Sequence, residues 1–211
     1  MIQEAVTNVG SLDRPIAWTQ HVTLGPPFLE AGITQFRTPA TKSYCPSTET
    51  LFRWPEVSLG DGVKQDLRVY AQPTGSRGAT THLMDQRKEW AFFFAFSSRW
   101  NLLFGYVWKR ADFPWLAIWD ENCSVATPPW NGRTVTRGME FGVSPVAESR
   151  RNMIDRKKLF GVPCFRWVPA RTTLSVEYYA FAKPALSVPD NLEQLELAMP
   201  GAPTPNRRNK R

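Results

Sequence analysis

Proline and glycine interrupt this chain too often for any long helix to run through it. Eighteen prolines and thirteen glycines are scattered along 211 residues. Proline inside a helix removes a hydrogen bond and clashes with the preceding turn, so punctuation of this density favours short strands joined by turns. The runs between the breaks fit that reading. Glu89–Phe96 is apolar and mostly aromatic after its first residue, and Asn101–Trp108 follows after a four-residue link. Together they predict a hairpin with at least one strand buried on both faces. Strands are also expected at Ile2–Val9, Pro15–Leu24, Ile33–Arg37, Thr50–Trp54, Asp66–Ala71, Phe113–Trp119, Arg133–Val143, Cys164–Val168 and Thr172–Ala182. Gln72–Thr81 reads as a Gly/Ser/Thr loop ending at an exposed His82, and Val146–Phe160 holds the one candidate helical turn. The class that results is an all-β antiparallel sandwich over residues 1–183, with residues 184–211 as a tail.

Charge narrows the function less than it first suggests. The net charge is +7, but Arg207, Arg208, Lys210 and Arg211 supply four of those charges at the end of the chain. Without them the balance is +3, which gives no basic face for nucleic acid. Pro200–Arg211 is expected to be unpacked, because proline and charge leave it no apolar side to bury. No apolar run is long enough for a membrane-spanning helix, and the first residues lack the pattern of a signal peptide. A cytoplasmic location is the corresponding expectation. Three cysteines, Cys45, Cys123 and Cys164, have neither C-x-x-C spacing nor a companion histidine, which argues against a disulfide framework and a zinc site. Nucleotide-binding and serine-hydrolase motifs are missing as well. Neither a metal nor a cofactor is expected.

What remains is a small set of titratable and aromatic residues. His21, one of two histidines, sits on an apolar strand that runs into Gly25-Pro26-Pro27. It is either a half-buried strand residue with one ring nitrogen satisfied or, as the one side chain that titrates near neutral pH unaided, part of a site that other residues complete. The carboxylates with suggestive surroundings are Asp120-Glu121, after an apolar strand, and Glu140. Strand alternation puts Glu140 on one face with Thr134, Thr136, Gly138 and Gly142, and puts Val135, Arg137, Met139, Phe141 and Val143 on the other. Small neighbours leave open space beside that carboxylate. The alternative is a glutamate simply paired to a basic side chain. Trp115, Trp119 and Trp130 are either core or flat platforms for sugar rings.

The segments His21-Val-Thr-Leu-Gly-Pro-Pro-Phe-Leu29, Phe113-Pro-Trp-Leu-Ala-Ile-Trp119 and Arg137-Gly-Met-Glu-Phe-Gly-Val-Ser-Pro145 resemble, in that order, three strands of the aldose 1-epimerase (galactose mutarotase-like) superfamily. The resemblance covers roughly Ile2–Phe181 and is nearest to an uncharacterised bacterial branch. It implies a large antiparallel sandwich that binds a hexose across one sheet. His21 would be the general acid and Glu140 the base, with Asp85, Trp115 and Trp119 contacting the sugar. The pair would interconvert the anomers of the sugar without a cofactor. Members of the superfamily carry a further histidine and an arginine upstream of the strand that matches His21. Only twenty residues precede His21 here, so the resemblance implies the C-terminal portion of a longer protein. Two functions therefore stand side by side: an epimerase, and a carbohydrate-binding domain without turnover. An acid and a base serving different oxygens of one ring are expected to lie a ring's width apart on one concave face, not bonded to each other, with His82 outside the cleft.

Overall fold

The computed structural model describes residues 1–58, 64–70 and 75–195. Strands β1 (Ile2–Thr7), β2 (Arg14–Ile16), β3 (Thr19–Leu24), β4 (Thr34–Arg37), β5 (Ala40–Cys45) and β6 (Thr50–Arg53) open the chain. Then come β7 (Glu56–Ser58), β8 (Lys64–Asp66), β9 (Ser76–Met84), β10 (Trp90–Ser97), β11 (Leu102–Lys109), β12 (Trp115–Asn122) and β13 (Val135–Gly142). Helix α1 (Arg150–Arg156) is followed by β14 (Lys158–Leu159), β15 (Val162–Pro163), β16 (Arg166–Val168) and β17 (Thr173–Pro184).

Two antiparallel sheets carry the fold, in the orders β1-β17-β11-β10-β4 and β3-β13-β12-β9-β5-β6. Their inner faces meet in one apolar core that includes Phe36, Phe93, Trp108, Leu116, Ile118, Met139 and Phe141. The stacked rings of Trp108 and Phe141, with centroids 4.3 Å apart, join the sheets near its centre. All eight residues of β10 are buried, as the aromatic run predicts. Its inward Ala91, Phe93 and Ala95 belong to this core, while Trp90, Phe92, Phe94 and Phe96 form a second cluster on the outside of the five-stranded sheet. That outer cluster is covered by the chain after β17, through Val188, Leu192 and Leu195. Residues 185–195 thus pack against the sandwich, whereas Pro200–Arg211 lie outside the described residues.

The expected helical turn is α1, capped by the Ser149 side chain, which accepts from the Asn152 N–H. The Gln72–Thr81 region departs from expectation. Ser76–Met84 is no loop but β9, an interior strand paired with both β12 and β5. Its Ser, Gly and Thr residues lack the apolar alternation of a half-buried strand. They are nonetheless held in the sheet by neighbours on either side, which satisfy the backbone whatever the side chains are.

Candidate functional site

The alternation read for β13 is the one observed. Arg137, Met139 and Phe141 point into the core, and Gly138, Glu140 and Gly142 point outward. The register sets Glu140 opposite His21 on one side and opposite Ala117 on the other. Continuing across the sheet, Ala117 faces Thr81 and Thr81 faces Tyr44, so Tyr44, Thr81, Ala117, Glu140 and His21 form one row. The rows on either side pair large with small: Trp115 opposite Gly142 and Trp119 opposite Gly138. Glu140 is therefore framed by two indoles from the next strand. Both glycines matter to this frame. A Cβ on Gly138 would lie 3.1 Å from Glu140 Oε1, and one on Gly142 would lie 2.7 Å from the Trp18 carbonyl.

The two ends of this frame differ. Trp115 is fully buried, and its indole N–H donates to the Pro163 carbonyl at 3.0 Å. The Phe160 ring stands 6.3 Å from it, and Lys42 Nζ lies 5.8 Å from the same ring. Phe160 and Gly161 form the β14–β15 turn with φ of 53° and 83°, the positive values that a two-residue hairpin turn of this kind demands. That turn walls off the Trp115 end. At the other end Trp119 is half-buried, and its cross-strand neighbour Ala79 is exposed.

His21 and Glu140 are on the same face, as expected, but they are not separated. His21 Nε2 lies 2.8 Å from Glu140 Oε1, and the other ring nitrogen, Nδ1, is 3.1 Å from the Thr23 hydroxyl. The expectation of an unbonded pair is thereby corrected. Directly opposed residues on antiparallel strands have Cβ atoms only about 4.5–5.5 Å apart, too close to keep these two side chains from meeting. His21 is more than half exposed, at 57 %, whereas Glu140 is only 18 % exposed. Burial pushes the Glu140 carboxyl above its usual range, with the positive His21 opposing that rise.

Other candidates are placed elsewhere. Asp85 lies beyond the end of β9, four residues past the row of Glu140, and is bound through both oxygens by Arg87. That partner holds its carboxyl below the usual range against the opposing effect of burial. Asp120 points inward and makes a two-pronged bond with the fully buried Arg137, at 2.8 Å for each contact. Glu121 is outward but buried. Burial raises its carboxyl, but Ser124 and the Val125 N–H outweigh that and hold it low.

His82 is not exposed but wholly buried on the core side of β9, between the Ser43 and Thr80 hydroxyls at 2.8 and 3.0 Å. The expectation that it lies outside the cleft holds, for a reason the sequence does not offer: it is on the opposite face. Thr81 was not singled out from sequence. It lies in the row of Glu140 with a fully buried hydroxyl that has no hydrogen-bond partner among the described residues. Among the described residues, no helix is long and apolar enough to cross a membrane.

No protein-family model and no curated protein matches the chain. Solved structures do. A putative aldose 1-epimerase from Klebsiella pneumoniae superposes with a TM-score of 0.62 at 13 % identity, over 87 % of this chain and 42 % of its own. A galactose mutarotase-like protein from Clostridium acetobutylicum gives 0.56 at 15 % identity, over 86 % and 52 %. The Slr1438 protein from Synechocystis gives 0.56 at 12 % identity, over 86 % and 50 %. The chain thus spans about half the length of these structures. At such identities the likeness concerns architecture, and on that ground the chain has the galactose mutarotase-like β-sandwich fold.

Proposed function

We propose that the outward face of the six-stranded sheet binds a hexose and that His21 and Glu140 interconvert its anomers. The observation that carries this reading is a partly desolvated carboxylate with a raised pKa, set between two indoles and touching the imidazole of the next strand. The half-buried Trp119 can offer a flat apolar face to a sugar ring, whereas the fully buried Trp115 can only wall the site from behind, which corrects its expected contact with the sugar.

Contact between the two groups alters the expected mechanism but does not forbid it. The anomeric oxygen O1 and the ring oxygen O5 are both bonded to C1. Two side chains at cross-strand distance can therefore address both oxygens from one side of the ring, each exchanging its bond to the other for a bond to the sugar. In the opening step the Glu140 carboxylate takes the O1 proton, the C1–O5 bond breaks as C1=O1 forms, and protonated His21 gives its Nε2 proton to O5. After rotation about C1–C2, O5 attacks the other face of C1. The two protons then return to His21 and O1. Nothing is consumed, and each group is asked for roughly 10²–10⁴-fold.

The reaction needs Glu140 ionised. Since its folded pKa is raised, the acid limb of the pH–rate profile is expected above the usual carboxylate range, with the rate rising as pH rises through it. Polarimetry on freshly dissolved α-D-glucose and α-D-galactose tests the reading. Wild type should speed the optical change over buffer, and Glu140→Gln should lose at least about 10²-fold. The same 2.8 Å contact also favours a second reading, a sugar-binding domain in which the pair is only a surface ion pair. Equal rates for wild type, variant and buffer, together with measurable sugar binding by calorimetry, would select it.

A further inference from the structure

The ion pair of Arg166 is poorly made. Elsewhere in the chain, Arg87 and Arg137 each take both oxygens of an aspartate, Asp85 and Asp120, at distances between 2.8 and 3.0 Å. That two-pronged geometry is the one a guanidinium and a carboxylate prefer. Arg166 Nη1 instead lies 3.5 Å from Asp112 Oδ1, and that nitrogen is buried with no hydrogen-bond acceptor among the described residues. A contact of this length is an attraction between charges and not a hydrogen bond.

Arg166 and Asp112 stand in a cleft of about 280 Å³ between the β11–β12 turn and the stretch that runs from β15 into β16. Arg110, on the same turn as Asp112, lines it too. Its Nε donates to the Lys88 carbonyl at 2.8 Å, which fixes the direction of the guanidinium. Among the described residues, no carboxylate lies within ion-pair distance of Arg110. Two guanidiniums therefore share one loosely held carboxylate, and the cleft carries one positive charge in excess. The Arg166 side chain is 33 % exposed, so part of its fork stays accessible beside Asp112. Partial burial makes such an excess costly, and an anion relieves that cost.

The walls of the cleft are apolar. Pro114, Val143, Val162 and Phe165 form them, and Val143 is buried outright. Pro163 fixes the position of the cleft relative to Glu140. It lines the cleft, and its carbonyl takes the Trp115 indole N–H. The cleft is thus beyond the Trp115 wall and is no part of the outward face that carries Glu140.

We propose that this cleft binds a small organic acid, with the carboxylate held by Arg166 and Arg110 and the apolar part laid against Phe165, Pro114 and Val162. A guanidinium fork matches a planar carboxylate in shape as well as charge. Free phosphate would answer the same charges but leave the apolar walls without a partner. A neutral apolar ligand would leave the two cations without one. Size sets the upper limit, because about 280 Å³ falls just short of the roughly 300 Å³ at which small-molecule sites usually begin. An acid built on one ring or a short branched chain suits that space, and a peptide does not. Asp112 competes with the ligand for Arg166, so it also sets how tightly the acid is held. None of this depends on sugar binding or turnover.

Titration of the isotope-labelled full chain with sodium benzoate, followed through amide chemical shifts, tests the proposal. Saturable shifts are expected around residues 110–114 and 162–166. Benzyl alcohol, the neutral counterpart, should give none at the same concentration, and inorganic phosphate should bind more weakly than benzoate. Arg166→Gln should weaken benzoate binding at least about tenfold, the usual worth of a charge-assisted hydrogen bond. Asp112→Asn removes the competing carboxylate and should tighten binding about two- to fivefold, the range for a loosely held ion pair. A merely apolar cleft would respond to neither substitution. The proposal is overturned by a titration without saturable shifts in those segments, or by benzyl alcohol or phosphate binding as tightly as benzoate. An Asp112→Asn variant that binds no more tightly than wild type overturns it as well. Should Arg166→Gln not fold, Asp112→Asn and the comparison of the three probes on wild type decide.

Discussion

At the level of single residues, the two histidines show how strand parity decides chemistry. His21 faces outward beside a carboxylate, while His82 faces the core between two hydroxyls and two aromatic edges, Phe52 and Trp54. Burial first, and then the positive Arg137, push the His82 pKa down to about 3 from 6.5. It is therefore neutral in the folded protein at any ordinary pH. An unfolded chain protonates it as pH falls through 6.5, whereas the folded chain does not until about 3. Its contribution is thus fully present above pH 6.5 and is lost on acidification, by about 1.4 kcal/mol for each pH unit within that window. Urea melts from pH 7 to pH 4 should show this slope in wild type and a shallower one in His82→Gln. A slope unchanged by the substitution would mean that His82 titrates normally. From sequence, His82 could not be assigned, because the polar strand around it hides its parity. Glu140 could, because Val135–Val143 alternates cleanly. What escaped that reading was distance: alternation gives the face of a residue, and only register gives its neighbour, so the direct contact with His21 was not legible.

The same division holds for whole elements. Strand β10 announces itself because burial on both faces requires an unbroken apolar run, and Trp90-Ala-Phe-Phe-Phe-Ala-Phe96 is such a run. Strand β9 does not, since its place between β5 and β12 is fixed by long-range pairing and its core-side hydroxyls and imidazole satisfy one another. Close packing also sets the one position where β11 must be thin. Gly105 lies opposite Phe94 on one side and Phe181 on the other, and these two rings meet over it edge-on, with centroids 5.8 Å apart. A Cβ there would stand 2.7 Å from the Phe93 carbonyl, 2.8 Å from Phe181 and 2.9 Å from Phe94. The backbone, the buried Phe94 ring and the partly buried Phe181 ring cannot all yield, so Gly105→Ala is expected to destabilise by about 1–3 kcal/mol, the usual cost of overpacking. An unchanged thermal midpoint would show that the outer cluster is loosely packed.

For the molecule as a whole, the outer aromatic surface of the five-stranded sheet poses the largest question of stability. Trp90, Phe92, Phe94 and Phe96 would be a large exposed apolar patch if nothing covered them, and such patches drive aggregation. The cover is the segment after β17. It is pinned by Ala185 N–H to the Asn101 carbonyl at 2.9 Å, by Arg37 to Asp190 at 2.9 Å, and by Lys183 Nζ to the Leu195 carbonyl at 3.1 Å. Leu195 is 1 % exposed, and Val188 and Leu192 pack beside it. Composition alone separates this segment from the end of the chain, since Pro200–Arg211 offers only proline, small and charged side chains. The two parts should therefore respond oppositely to truncation. Ending the chain after Met199 is expected to leave the thermal midpoint within about a degree of wild type, because the residues removed have no apolar side chain large enough to add to a core. Ending it after Ala185 removes the buried Leu195, worth about 1.5–3 kcal/mol, together with the partly buried Val188 and Leu192, and uncovers the rings beneath them. That truncated chain should lose most of its margin, since a domain of this size is held by only about 5–15 kcal/mol. It should also bind a hydrophobic dye that the longer chain does not. If instead both truncations melt like wild type, the segment rests on the sheet without holding it, and the aromatic cluster is stable in water by its own packing.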